Sequence, residues 1–283
     1  MTEITGRVAL VTGGGSGIGR GLVLALAAES ASVVVADISE RRATEVAAEV
    51  ARAGGKAIAV ACDVSDRASI QAMKTRAEQA FGTVTLLFAN AGVTALQPLA
   101  EMSGADIDWI LDVNLHGVAD CLHAFLPDMI ARGGGHVVAT ASMSALIPEW
   151  LPTHAPYAAA KAGIIAMMLN LRSELQAHGV GSTVLCPGGV ATRIAECRTV
   201  RPARFGGPSE TGVVAPASVD MTDLYFRPAE EVAQMVLRAI RADRPMVLTE
   251  GWRRELFLRS YVDAVMTAFD DADAFDREQT PQR

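Results

Sequence analysis

The stretch Thr12-Gly13-Gly14-Gly15-Ser16-Gly17-Ile18-Gly19 constrains this chain more than any other. It follows the apolar run Val8-Ala9-Leu10-Val11, a short buried strand, and precedes 20–29, which reads as a helix. A strand that turns through glycines into a helix N-terminus gathers backbone N–H groups and the positive end of the helix dipole on one point, which suits a phosphate. Glycines are needed there because a Cβ would obstruct both the turn and the close approach of a pyrophosphate. The next strand, 32–37, ends on Asp37. That acid is placed to bond the ribose hydroxyls of an adenosine, its competing use being to cap the following helix.

Strand-like and helix-like segments alternate along the rest of the chain. The pattern predicts an α/β fold with a doubly wound parallel sheet in three layers, helix, sheet, helix. With 283 residues, half of them hydrophobic, one such domain accounts for 1–283. Helices are expected over 40–52, with Val46 and Val50 inward, from a cap at Ser65 to Phe81, over 107–132 and 157–178, and from Pro228 to Arg241. Strands are expected over 57–62, 84–89, 136–140, 182–186 and 245–249. The segment 190–227 is too long for a plain connection and reads as a lid. A helical C-terminal extension follows over 252–269, with Leu256, Tyr261, Val265 and Phe269 on one face, and a polar, mobile end over 270–283.

The net charge of −7 offers nothing to nucleic acid or an anionic membrane. The longest apolar segment, 158–171, carries Lys161 and Asn170 and is too short to span a bilayer. The run 8–11 is too short for a secretory signal. Cys62, Cys121, Cys186 and Cys197 show no metal-type pairing, and the five histidines no ligand spacing. A cytoplasmic protein without a metal is the expectation.

Tyr157 and Lys161 stand four apart at the start of a helix, which stacks them on one face a turn apart. A phenol is a poor base at neutral pH, and a neighbouring ammonium lowers its pKa by about one to three units. The pair is suited to general acid/base work on an alcohol/carbonyl couple. Spacing alone also fits an ordinary exposed Tyr and Lys on a helix.

The glycine loop, Asp63-Val64, Asn90-Ala91-Gly92, Asn114, Ser142, Tyr157-x-x-x-Lys161 and Pro187-Gly188-x-Val190-x-Thr192 occur together and in order. Over about its first 250 residues the chain resembles the short-chain dehydrogenase/reductase family. The resemblance implies a Rossmann fold, with Tyr157 as proton donor and acceptor and Lys161 as the group that lowers its pKa and holds the nicotinamide ribose. It implies Ser142 on the reacting oxygen, and Asn114 holding a water that links Lys161 to solvent. Gly13, Ser16, Gly17, Ile18 and Gly19 would cradle the pyrophosphate. Asp63 and Val64 would contact adenine, Asn90, Ala91 and Gly92 would line the cofactor, and Pro187, Gly188, Val190 and Thr192 would cover the nicotinamide amide.

The chain departs from the family pattern in two places. Ala89 stands where a second asparagine is common, so one contact stabilising the central sheet is expected to be missing. The gap from Ser142 to Tyr157 is longer than usual, which lets Ser144 compete with Ser142.

Asp37 points to NAD rather than NADP, with Arg41 and Arg42 as the two cations near enough to a 2′-phosphate to weaken that choice. A narrower resemblance, through 194–196, 201–206 and the long tail, is to bacterial dehydrogenases that oxidise benzylic alcohols of lignin-type aryl ethers. With the lid 190–227 on one side of the expected site and the apolar Met143, Leu146, Ile147, Trp150 and Leu151 on the other, the substrate is expected to be a bulky, largely apolar, aromatic secondary alcohol. Trp150 and His154 are further candidates for the pocket. The alternatives are an NADPH-dependent carbonyl or 3-oxoacyl reductase and a non-catalytic dinucleotide sensor. The family resemblance also implies a homotetramer or homodimer built on the helices 107–132 and 157–178.

Overall fold

The structure is a computed structural model and describes residues 2–213 and 225–279. Among them are seven parallel strands: β1 (Val8–Thr12), β2 (Ser32–Asp37), β3 (Lys56–Ala61), β4 (Leu86–Ala89), β5 (Gly135–Thr140), β6 (Val180–Cys186) and β7 (Met246–Leu248). They lie in the order β3-β2-β1-β4-β5-β6-β7. The central strands are continuous apolar runs because both faces of the sheet are covered. Leu10, Val34, Leu87 and Ala89 point into one core. Ala9, Val11, Val33, Val35, Leu86 and Phe88 point into the other.

The first core is closed by α3 (Arg67–Phe81), α4 (Gly104–Leu111), α5 (Gly117–Arg132) and α6 (Ala155–Gln176). The second is closed by α1 (Gly17–Ala28), α2 (Glu40–Arg52) and α7 (Ala229–Arg241). Strand order reverses between β1 and β4, and a crevice opens beyond the carboxyl ends of the strands at such a reversal.

Local chemistry moves several expected boundaries. Asp66, not Ser65, caps α3, accepting from the Ala68 N–H at 2.9 Å. Ser65 instead donates to Asp63 at 2.6 Å. The helix expected over 107–132 starts at Gly104, where Ser103 accepts from the Asp106 N–H. It is interrupted by a π-helical turn, Asp112–His116, with its extra backbone residue. The helix bearing Tyr157 starts two residues earlier, at Ala155, with Pro156 in its first turn, where no N–H is needed.

The C-terminal extension is α8 (Arg254–Phe257), a π turn Leu258–Val262 and α9 (Asp263–Gln279). Residues 270–279, expected to be mobile, are helical, and 280–283 lie outside the described residues. The apolar face of this extension is largely uncovered: Tyr261, Val265 and Phe269 are exposed, and α9 buries no residue. Of the expected lid, 194–200 and 203–205 form 3₁₀ turns, and 214–224 lie outside the described residues.

Candidate active site

A cavity of about 500 Å³ occupies the crevice. One end is lined by Gly13, Ser16, Gly17 and Ile18 at the N-terminus of α1. Ser16 makes no side-chain cap there and no acid sits in the first turn, so the positive helix end faces the cavity unneutralised. Gly13 and Gly17 have φ of +63° and +49°, which side chains other than glycine rarely adopt, and a Cβ on Gly17 would come within 2.8 Å of Thr192. These features fit the pyrophosphate of a dinucleotide. Gly19 does not line the cavity. It lets α1 pack on the turn, since a Cβ would sit 2.1 Å from the Gly13 carbonyl oxygen.

Asp37 lines the same end, its carboxylate accepting from the Gly15 N–H at 3.0 Å and the Ser39 N–H at 2.9 Å. Ser39 rather than Asp37 caps α2. Arg41 points away into an exposed pair with Glu45. Arg42 lines the cavity but pairs with Glu196 at 3.4 Å. Asp63 and Val64 also line the cavity, with the Asp63 carboxylate already engaged by Ser65 and by Arg204 at 2.8 Å.

Asn90, Ala91 and Gly92 form the floor. With Ala89 where a second asparagine was expected, Asn90 does the tying. Its amide donates to the Thr12 carbonyl at 3.1 Å, and it accepts from the Thr140 hydroxyl at 3.0 Å, which joins the ends of β1, β4 and β5. Pro187, Gly188, Val190 and Thr192 line the opposite wall.

At the far end stand Ser142, Tyr157 and Lys161. The Lys161 Nζ donates to the Thr140 carbonyl at 2.7 Å and lies 5.5 Å from the centroid of the Tyr157 ring. Ser142 stands near enough to the Tyr157 phenol to pull its pKa down, and Ser144 donates to Ser142 at 2.8 Å. Ser142 therefore stands beside the phenol, and Ser144 one bond behind it.

Burial pushes the Tyr157 phenol up to about 12, with Ser142 pulling against it. Burial brings Lys161 down to about 7. Desolvation disfavours the charged form of each group and so opposes the ammonium–phenolate pairing that their spacing suggests. Asn114, in the π turn, is fully buried and lies behind the cavity wall. Its amide donates to the Val93 and Ile110 carbonyls at 2.9 and 2.8 Å, and its oxygen accepts from the Val93 N–H.

Of the apolar residues expected beside the site, Trp150 and Leu151 line the cavity. Met143 and Ile147 are buried in the 3₁₀ turn after β5, where both the Leu146 and Ile147 N–H groups bond the Met143 carbonyl. That turn folds Met143, Leu146 and Ile147 away from the opening. His154 also lines the cavity, its ring stacked on Tyr157 and its Nε2 2.6 Å from the Thr94 hydroxyl. Three arginine pairs fasten the lid to the body: Arg42–Glu196, Arg201–Asp106 and Arg204–Asp63. Sequence spacing carries no signal for these, because the partners are far apart along the chain.

Among the described residues no group of three or more His, Cys, Asp or Glu side chains is arranged to hold a metal, and no helix is long and apolar enough to cross a membrane.

Comparison with known proteins agrees with this geometry. The C alpha-dehydrogenase of Sphingobium sp. strain SYK-6 is 35% identical over 208 residues, 73% of this chain and 68% of that protein. A short chain dehydrogenase/reductase from Burkholderia phymatum, solved in complex with NAD, superimposes with a TM-score of 0.84 at 32% identity, over 94% of this chain and 97% of that one. The apo form of LigO from Sphingobium sp. strain SYK-6 superimposes with a TM-score of 0.78 at 32% identity, over 99% and 96%. A family model described as short chain dehydrogenase matches residues 7–201. The chain belongs to the short-chain dehydrogenase/reductase family.

Proposed function

We propose that this protein is an NAD-dependent dehydrogenase that oxidises a bulky, largely apolar and aromatic secondary alcohol to its ketone. The observation that carries the reading is one cavity with an unneutralised helix N-terminus and Asp37 at one end and Ser142, Tyr157 and Lys161 at the other. The NAD in the Burkholderia structure and the name of the Sphingobium relative support it.

Gly13, Ser16, Gly17 and Ile18 would hold the pyrophosphate, and Asp37 the adenosine ribose. NAD, when bound, would supply the hydride acceptor for the carbinol carbon. Ser142 bonds the alcohol oxygen, and Tyr157 takes its proton. In its ammonium form Lys161 would stabilise the phenolate and hold the nicotinamide ribose, with Asn114 fixing the loop at Val93 beside them. Because the phenol must lose its proton to act as base, oxidation speeds up as pH rises and ketone reduction as it falls.

The apolar lining near the reacting end, including Trp150, Leu151, Val200 and Val213, favours an aryl substituent at about 25 cal/mol per Å² of apolar area buried. A second reading, an NADPH-dependent reductase, draws on Arg42, which lines the corner beside Asp37. Against it, the Asp37 carboxylate would face a phosphate of like charge, which costs several kcal/mol. The free, buried cysteines suit a cytoplasmic setting. An exposed apolar side chain on the outer face of α6, Leu169, suits a homodimer or homotetramer.

The test is NADH formation from 1-phenylethanol-type alcohols, larger aryl ethers, 2-butanol and polyols, with NAD and NADP in parallel. The expected result is a higher kcat/KM for NAD and for the aryl alcohols. A preference for NADP, or for polyols, contradicts the corresponding half of the proposal. Light scattering at micromolar concentration is expected to give a dimer or tetramer, and a monomer contradicts that part.

A further inference from the structure

Beyond β7 the chain buries an acid and a base that the family match, ending at residue 201, does not reach. Glu250 and Arg253 are 2% and 7% exposed. The Arg253 Nε donates to the Glu250 Oε2, and the Glu250 Oε1 accepts from the Gly189 N–H at 2.7 Å. Gly189 and Gly188 belong to the loop after β6 that lines the cavity. A Cβ on Gly188 would come within 2.1 Å of the Glu250 carboxyl, so the loop and the acid are packed as closely as glycine permits.

The guanidinium has a second engagement. It lies between two indoles, 4.1 Å from the Trp150 ring centroid and 4.0 Å from that of Trp252. Trp150 lines the cavity, whereas Trp252 is 57% exposed and covers the arrangement from outside. A planar cation between two indole faces fixes the tilt of both rings, and burial strengthens the attraction. Compared with apolar packing of the same volume, a buried ion pair adds little stability. What this one supplies is placement: it spans from the glycine loop to an aromatic wall of the cavity. Trp150 follows β5 and Gly189 follows β6; the two loops touch through the Met143 N–H and the Pro187 carbonyl at 2.9 Å, and the Glu250–Arg253 pair adds a tie at Trp150 itself.

We propose that Arg253 is a positioning residue for the substrate, holding Trp150 as the ring against which the aryl group of the alcohol packs and tying that wall through Glu250 to the loop after β6. An aryl group gains from an offset or edge-to-face contact with such a fixed indole, beyond its buried area, and a short alkyl chain does not. This deepens the function proposed above and rests on it.

The test uses the full chain and the ratio of kcat/KM for 1-phenylethanol to that for 2-butanol. Arg253→Lys keeps the charge beside Glu250 and loses the flat stack. The expected result is a fall in that ratio of about fivefold, carried by KM for the aryl alcohol, as loss of a cation–π contact predicts. The Kd for NADH and the melting temperature are expected to stay close to those of the unaltered enzyme. Trp150→Leu is expected to lower the ratio at least as far, with Arg253→Lys then adding nothing. A parallel loss with both alcohols in Arg253→Lys, or a full further loss when it is combined with Trp150→Leu, overturns the role of Arg253 alone. Failure of the unaltered enzyme to oxidise any aryl alcohol overturns the function reading, and this one with it.

Discussion

The imidazole of His154 lies flat on the phenol ring of Tyr157, with centroids 4.2 Å apart and planes 4° from parallel. His154 is itself held by Thr94 through the 2.6 Å contact at Nε2. The stack fixes the ring of the proposed acid/base, and such a pair is worth about 0.5–1.5 kcal/mol beyond burial. His154→Ala is therefore expected to lower kcat by about two- to tenfold, the same energy read as a rate. His154→Phe keeps the stack and is expected to recover most of the loss. Burial holds His154 down to about 4, so the kcat profile should show no inflection from it near 6.5. Steady-state kinetics of the two variants across pH checks all three statements.

The two serines are predicted to differ. Ser142 stands beside the phenol, and Ser144, which also lines the cavity, donates to Ser142. Ser142→Ala removes a donor from the reacting oxygen and is expected to cost about a hundredfold or more in kcat, the scale of one such donor. Ser144→Ala should cost no more than about tenfold, the net worth of one neutral hydrogen bond. Equal losses in a side-by-side assay would contradict the assignment.

Stability is expected to fall in mild acid. Burial holds both His136 and His154 down to about 4, against an ordinary value of 6.5. Between these values the unfolded chain binds protons that the native chain refuses. The histidine contribution is thus fully present above pH 6.5 and is lost as pH drops towards 4. Urea midpoints at pH 7.5, 5.5 and 4.5 should decline in that order. His136→Gln should give a shallower decline, whereas a midpoint independent of pH over this range would contradict the burial of both rings.

Much of this fold is legible in the sequence because doubly covered strands must be continuous apolar runs. Val33-Val34-Val35 admits few other readings, and the bounds of β2 and α2 match those expected. Boundaries slipped where two neighbours carry equivalent chemistry: Ser65 and Asp66 can each cap α3, and only the entry angle of the chain selects Asp66. The π turn at 112–116 leaves no trace in the apolar pattern, since it inserts one backbone residue without changing which faces are apolar.

In the site, the i, i+4 spacing of Tyr157 and Lys161 was readable, but the balance of burial against charge around them was not. That balance depends on how completely the surrounding walls exclude water. Glu250 and Arg253 went unremarked because their partners, Gly189 and Trp150, are brought near by the sheet and not by the chain. The face of α9 that carries Val265 and Phe269 is the converse case: its apolar spacing is real, yet its own chain does not cover it.

The central claim is that Tyr157 moves the proton while other residues hold the cofactor. Its most direct measurement is Tyr157→Phe, comparing kcat for an aryl secondary alcohol with the Kd for NADH by fluorescence titration. The substitution keeps the ring on His154 and removes only the hydroxyl. The account predicts a fall in kcat of about a hundredfold or more, as for loss of a general acid/base, with the Kd for NADH within about twofold. A variant that keeps more than about a tenth of the original kcat, less than loss of a general acid/base would cost, would contradict it.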